Sequence, residues 1–102
     1  MQDRRATERL RIDLNVRWEA LGSEGRGTVC DLSSSGCFVL TSAEVKPGQL
    51  IRIGINFPQE SASLWAQVVY EIAEMGFALR FAFATEADKD MLNKLIESLH
   101  RL

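Results

Sequence analysis

Two short runs of this chain carry side chains that can do chemistry together. Arg5-Ala6-Thr7-Glu8-Arg9 sets two arginines four apart, with Arg4 just before them. A guanidinium makes bidentate contacts to phosphate, pairs with the O6 and N7 edge of guanine and stacks on flat bases. The second run, Asp31-Leu32-Ser33-Ser34-Ser35-Gly36, reads D-x-S-x-x-G. A carboxylate only accepts, which suits the N1 and N2 donors of guanine, and a hydroxyl both donates and accepts. Glycine allows tight backbone geometry and close approach of a ligand. Either run alone is also what a solvated tail or an ordinary turn contains.

No residue set for catalysis accompanies them. The single histidine, His100, falls at the end of a helical pattern, where a solvated cation is the ordinary reading. Glu86, Asp88, Asp90 and Glu97 fall mostly on the wet side of that pattern. The chain has no Walker loop, GxGxxG or HExxH motif. Cys30 and Cys37 stand seven apart with no histidine nearby, which is no zinc spacing. The expectation is a non-enzyme without metal or cofactor.

The chain is 102 residues long with a formal net charge of −2. That length suits one domain, residues 1–102, and that charge disfavours a general nucleic-acid binder. Basic charge crowds the start instead, at Arg4, Arg5, Arg9, Arg11 and Arg17, as a local anion site would. The polar N-terminus lacks the apolar stretch of a signal peptide, and no run reaches membrane-helix length. These features predict a cytoplasmic protein with reduced thiols and no membrane insertion.

The elements that must position the two runs follow from periodicity. Residues 1–10 are polar and form a flexible N-terminal arm. Residues 11–84 read as strands. Ile12 to Ala20 alternates apolar and polar, and Gly22-Ser23-Glu24-Gly25 turns the chain. Strands follow over Thr28–Leu32, Cys37–Thr41, Ile51–Phe57, Leu64–Glu71 and Phe77–Phe83. Thr85 then caps a helix over residues 85–101, with the apolar stripe Met91, Leu92, Leu95, Ile96, Leu99 and Leu102. Six short strands with tight turns predict a mainly β fold, a closed or nearly closed antiparallel barrel. The helix must bury its stripe by plugging an opening or covering a sheet edge. Trp18, Phe57, Phe77, Phe81 and Phe83 follow core-facing alternation, whereas Trp65 has the opposite parity to its neighbours.

R-x-x-x-R on an arm, then a strand, then D-x-S-x-x-G after the second strand, then more strands and a helix, resembles the PilZ domain family. The resemblance runs from about Arg4 to about Leu99. Arg5, Arg9, Asp31, Ser33 and Gly36 each match a position of the family's ligand motif. One departure is Glu8, where many members have proline before the second arginine. It adds a negative charge and removes no ligand group.

The resemblance implies a six-stranded PilZ-type barrel that binds cyclic di-GMP. Arg5 and Arg9 would hold phosphate and guanine edges, Asp31 and Ser33 would read a guanine, and Gly36 would let the backbone turn beneath it. Arg4, immediately before the motif, implies a stacked ligand dimer. The implied mechanism is an arm that orders over the ligand and shows a changed surface to an unidentified effector protein. Two alternatives come from other classes. One is a PilZ-like protein-interaction module of a pilus or flagellar system, working without nucleotide. The other is a barrel for single-stranded nucleic acid, which would need exposed aromatics on a basic groove.

Overall fold

The computed structural model describes residues 9–100. The predicted arm, with Arg4 and Arg5, lies outside them apart from its last two residues, as do Arg101 and Leu102. Six antiparallel strands form a closed barrel: β1 (Leu10–Ala20), β2 (Ser23–Leu32), β3 (Gly36–Leu40), β4 (Leu50–Asn56), β5 (Ser61–Ile72) and β6 (Gly76–Phe81). Around the ring they run β1-β2-β3-β6-β5-β4, so β3 pairs with β6 and β4 closes on β1. One helix, α1 (Glu86–His100), follows.

Alternation fills the barrel. From β1, Leu14, Val16 and Trp18 point in, and Arg11, Asp13, Asn15, Arg17 and Glu19 point out. Ile51, Ile53 and Ile55 of β4 meet Leu64, Ala66 and Val68 of β5 and Phe77 and Leu79 of β6 in the same apolar interior. Trp18 and Phe77 meet edge to face, with ring centroids 5.1 Å apart, a preferred aromatic geometry.

The second strand begins earlier than its sequence predicts. The turn is the two residues Leu21 and Gly22, the latter at φ 82, and Ala20 already pairs with Ser23. Gly25, predicted to turn the chain, is a strand residue opposite Trp18. A Cβ there would collide with the Trp18 indole, so this glycine marks a close approach within a strand. The sixth strand ends sooner, at Phe81, and Phe83 instead packs against the core from outside the sheet, 5.9 Å from the Phe81 ring.

The Thr85 hydroxyl accepts from the Asp88 amide at 3.1 Å, which makes it the helix cap. Leu92 and Leu95 join the cluster formed by the inward barrel side chains, flanked by Met91, Ile96 and Leu99. A closed barrel leaves no sheet edge to cover. The helix therefore meets the interior through an opening at a barrel end, the first of the two predicted placements.

Candidate functional site

The site is built where strict alternation fails. Between the pairs Arg11–Asp31 and Leu14–Val29, β1 has two residues, Ile12 and Asp13, and β2 has only Cys30. Between Val29–Val39 and Asp31–Phe38, β2 still has Cys30 and β3 has nothing. Three adjacent strands thus pass the same stretch with two, one and no intervening residues. Such bulges splay a sheet and re-aim side chains. Val29 and Leu32 both point into the core, although they are three apart. Without Cys30 as the odd residue, Asp31 would occupy an inward position. With it, Asp31 turns toward the outer face.

The splay opens a depression of about 500 Å³, lined among the described residues by Arg11, Ile12, Asp13, Cys30 and Asp31. At its rim the two sequence runs meet. Arg9 Nε donates to Asp31 Oδ1 at 2.8 Å, joining residues 22 apart. The two side chains are 47% and 35% exposed, so the pair is wet and open to a ligand.

Ser33 has a different setting. It is fully buried, and its hydroxyl is engaged inside the turn. The amides of Ser35 and Gly36 donate to Ser33 Oγ, each at 3.3 Å, and the Ser33 and Ser35 hydroxyls lie 3.0 Å apart. The Ser33 amide donates to the Gly36 carbonyl at 2.9 Å. Ser33 therefore ties the turn that carries Asp31 on one side and β3 on the other.

Gly36 is explained by β6. It pairs with Arg80, and a Cβ at Gly36 would collide with the Leu79 carbonyl oxygen. Its missing side chain lets β3 approach β6 and close the ring, beyond the turn geometry expected from sequence. Gly36→Ala is expected to lower stability by about 1–3 kcal/mol through backbone displacement, as measured by urea denaturation.

Cys30 and Cys37 are both free. Burial pushes the Cys37 thiol up to about 12, so it stays protonated near neutral pH. Cys30, at the depression, is also raised, by burial first and by the Asp31 carboxylate next. Among the described residues no three His, Cys, Asp or Glu side chains are grouped to hold a metal ion. His100 is exposed at the end of α1.

Trp65 is 37% exposed, as its parity predicts, and the Arg52 guanidinium lies 5.2 Å from its ring centroid. Sequence reasoning gave no signal for the roles of Cys30 and the β1 bulge. Only the three-residue gap between buried Val29 and Leu32 reveals them, and Cys30 is apolar enough to pass for a core residue.

A family model described as PilZ domain matches residues 3–99. No curated protein matches the chain. Among solved structures, it resembles the PilZ domain of CeSA from a cellulose-synthesizing bacterium, with a TM-score of 0.78 and 18% identity over 91% of this chain and 98% of that one. It also resembles YcgR in complex with c-di-GMP from Escherichia coli, with a TM-score of 0.76 and 24% identity over 92% of this chain and 45% of that one. The K. pneumonia MrkH–c-di-GMP complex gives a TM-score of 0.74 and 17% identity over 97% of this chain and 52% of that one. The chain spans about half the length of those last two proteins. At such identities the likeness establishes the barrel fold. No helix among the described residues is long and apolar enough to cross a membrane.

Proposed function

The chain belongs to the PilZ domain family, and on that premise we propose that it is a cyclic di-GMP receptor that signals to a separate protein and catalyses nothing. The observation that carries this reading is the 2.8 Å contact between Arg9 and Asp31 beside the depression. The contact uses Nε of Arg9 and Oδ1 of Asp31. Oδ2 of Asp31 and the two terminal nitrogens of Arg9 form no hydrogen bond with a described residue. The pair can thus stay joined while Oδ2 accepts from a guanine N1 or N2 and the Arg9 fork donates to phosphate or to the O6 and N7 edge. Ser33 and Gly36 serve the same ligand indirectly, by holding the turn and closing the barrel behind Asp31. Arg4 and Arg5 would add phosphate contacts from the arm, with a stacked ligand dimer as the bound form. YcgR and MrkH, similar in fold, each form a complex with c-di-GMP.

The signal in this proposal is the arm. Ligand orders residues 1–9 over the depression, at a cost in conformational entropy, and the new surface is read by an effector protein in the cytoplasm. A second reading, a protein-interaction module independent of nucleotide, draws on the exposed Leu40, Tyr70, Ile72 and Met75 on the outer face of β3, β5 and the β5–β6 turn. Phe38 joins them, its ring 6.3 Å from that of Tyr70, and it pairs with Asp31. Exposed apolar patches of this kind mark partner surfaces.

Calorimetry with cyclic di-GMP separates the readings. The receptor is expected to bind it at micromolar or lower concentration and to prefer guanine over adenine dinucleotides. Backbone NMR is expected to show arm resonances that shift and become ordered on titration. Absence of heat well above micromolar ligand would leave the interaction module as the better reading. Binding of generic oligonucleotides with a steep salt dependence would favour the nucleic-acid barrel instead.

A further inference from the structure

We propose that Arg11, which lies outside both sequence runs, is a further ligand-binding residue that holds a phosphate of the bound dinucleotide from the lining of the depression. The inference rests on the receptor reading above and deepens it.

Arg11 is on β1, not on the arm, so a formed barrel already fixes its position. Strand alternation turns it outward, together with Asp13. Register pairs it with Asp31, which puts both residues on the same outer face, with Cβ atoms about 4.5–5.5 Å apart. Yet Asp31 makes its ion pair with Arg9, not with this direct neighbour, and Arg11 forms no ion pair with a described residue. An exposed guanidinium beside a carboxylate already taken by another arginine is left for an outside anion. The bulge that follows Arg11 opens the depression at that point, and Arg11 is one of its lining residues.

The spacing suits the ligand class. Arg9 and Arg11 are two residues apart on extended chain, roughly 6.7 Å by strand rise, and both lie on its outer side. Two forks at that separation can hold two anionic or guanine groups of one dinucleotide, one from the rim and one from the lining. The positive charge of Arg11 is already felt at Cys30, another lining residue, where it opposes the upward push of burial, Asp31 and Asp13 on the thiol.

The test is calorimetry of the full chain with cyclic di-GMP at several salt concentrations. Arg11→Ala is expected to weaken binding by roughly tenfold to a hundredfold. It should also reduce the slope of log affinity against log salt by about one, as loss of a phosphate contact does. Arg11→Lys keeps the charge without the fork, and is expected to restore the slope and only part of the affinity. Arg26→Ala, exposed on β2 away from the depression, is the control and should bind as the parent does. Urea denaturation should show Arg11→Ala as stable as the parent, which excludes simple unfolding. Parent binding with an unchanged Arg11→Ala affinity and slope overturns this inference and leaves the receptor reading standing. A parent chain that binds no cyclic di-GMP overturns both.

Discussion

Asp31→Ala is expected to remove cyclic di-GMP binding in calorimetry, and Arg9→Ala to do the same, while neither variant loses much stability. The two effects separate because of where the pair sits. Both side chains are substantially exposed, so their ion pair is solvated and contributes little to folding, about 0–1 kcal/mol. A bound guanine has a different requirement. In the proposed complex, loss of the Asp31 carboxylate would leave the guanine N1 and N2 donors without an acceptor. A lost charged hydrogen bond and an unsatisfied buried donor together cost about 3 kcal/mol or more, and that corresponds to roughly a hundredfold or more in affinity. Arg9→Ala removes the group paired with Asp31 and, in the proposed complex, a fork for phosphate. Asp31→Asn keeps one acceptor oxygen and should retain a fraction of the affinity. Binding of Asp31→Ala within threefold of the parent would place the guanine elsewhere on the barrel.

The largest loss of stability is expected at the helix. Leu92 and Leu95 are the two residues of α1 buried in the common apolar cluster. Leu92→Ala and Leu95→Ala should each reduce stability by about 2–5 kcal/mol, from lost burial and the cavity left behind. Chemical denaturation measures it through the midpoint at unchanged slope. A loss under about 0.5 kcal/mol at Leu95 would mean that its side chain is solvated and that α1 does not seal the barrel end. The parent protein would then unfold in two steps, with the helix first.

The barrel was readable because its strands obey a period of two, and the helix because Thr85 and the stripe from Met91 to Leu99 obey a period of 3.6. What misled was glycine. Ser23-Glu24-Gly25 has the composition of a turn, but Gly25 is a strand residue that makes room for Trp18, seven residues earlier. No local pattern can announce a clash between side chains that meet only after pairing. The same limit applies to Gly36, whose reason for being glycine is the Leu79 carbonyl on β6. For the site, residue types were legible and roles were not. Arg9 and Asp31 form an ion pair with each other, a contact that no spacing in the sequence announces. Ser33, equally polar in sequence, is buried in its own turn. Arg11 appeared only as one more charge in a basic stretch, because its pairing with Asp31 depends on a register set by the barrel.

Alternation along a strand works like a reading frame of two, in which every residue is assigned inside or outside by its parity alone. Cys30 is a single-letter frameshift in that code. Upstream of it Val29 faces the core, and downstream Leu32 does. The carboxylate between them is legible to solvent only because the frame has slipped. What matters at Cys30 is therefore that its residue stays out of the count, whatever side chain it carries. If Cys30 were counted into strict alternation, Asp31 would share the inward parity of Val29 and its charge would turn into the apolar interior.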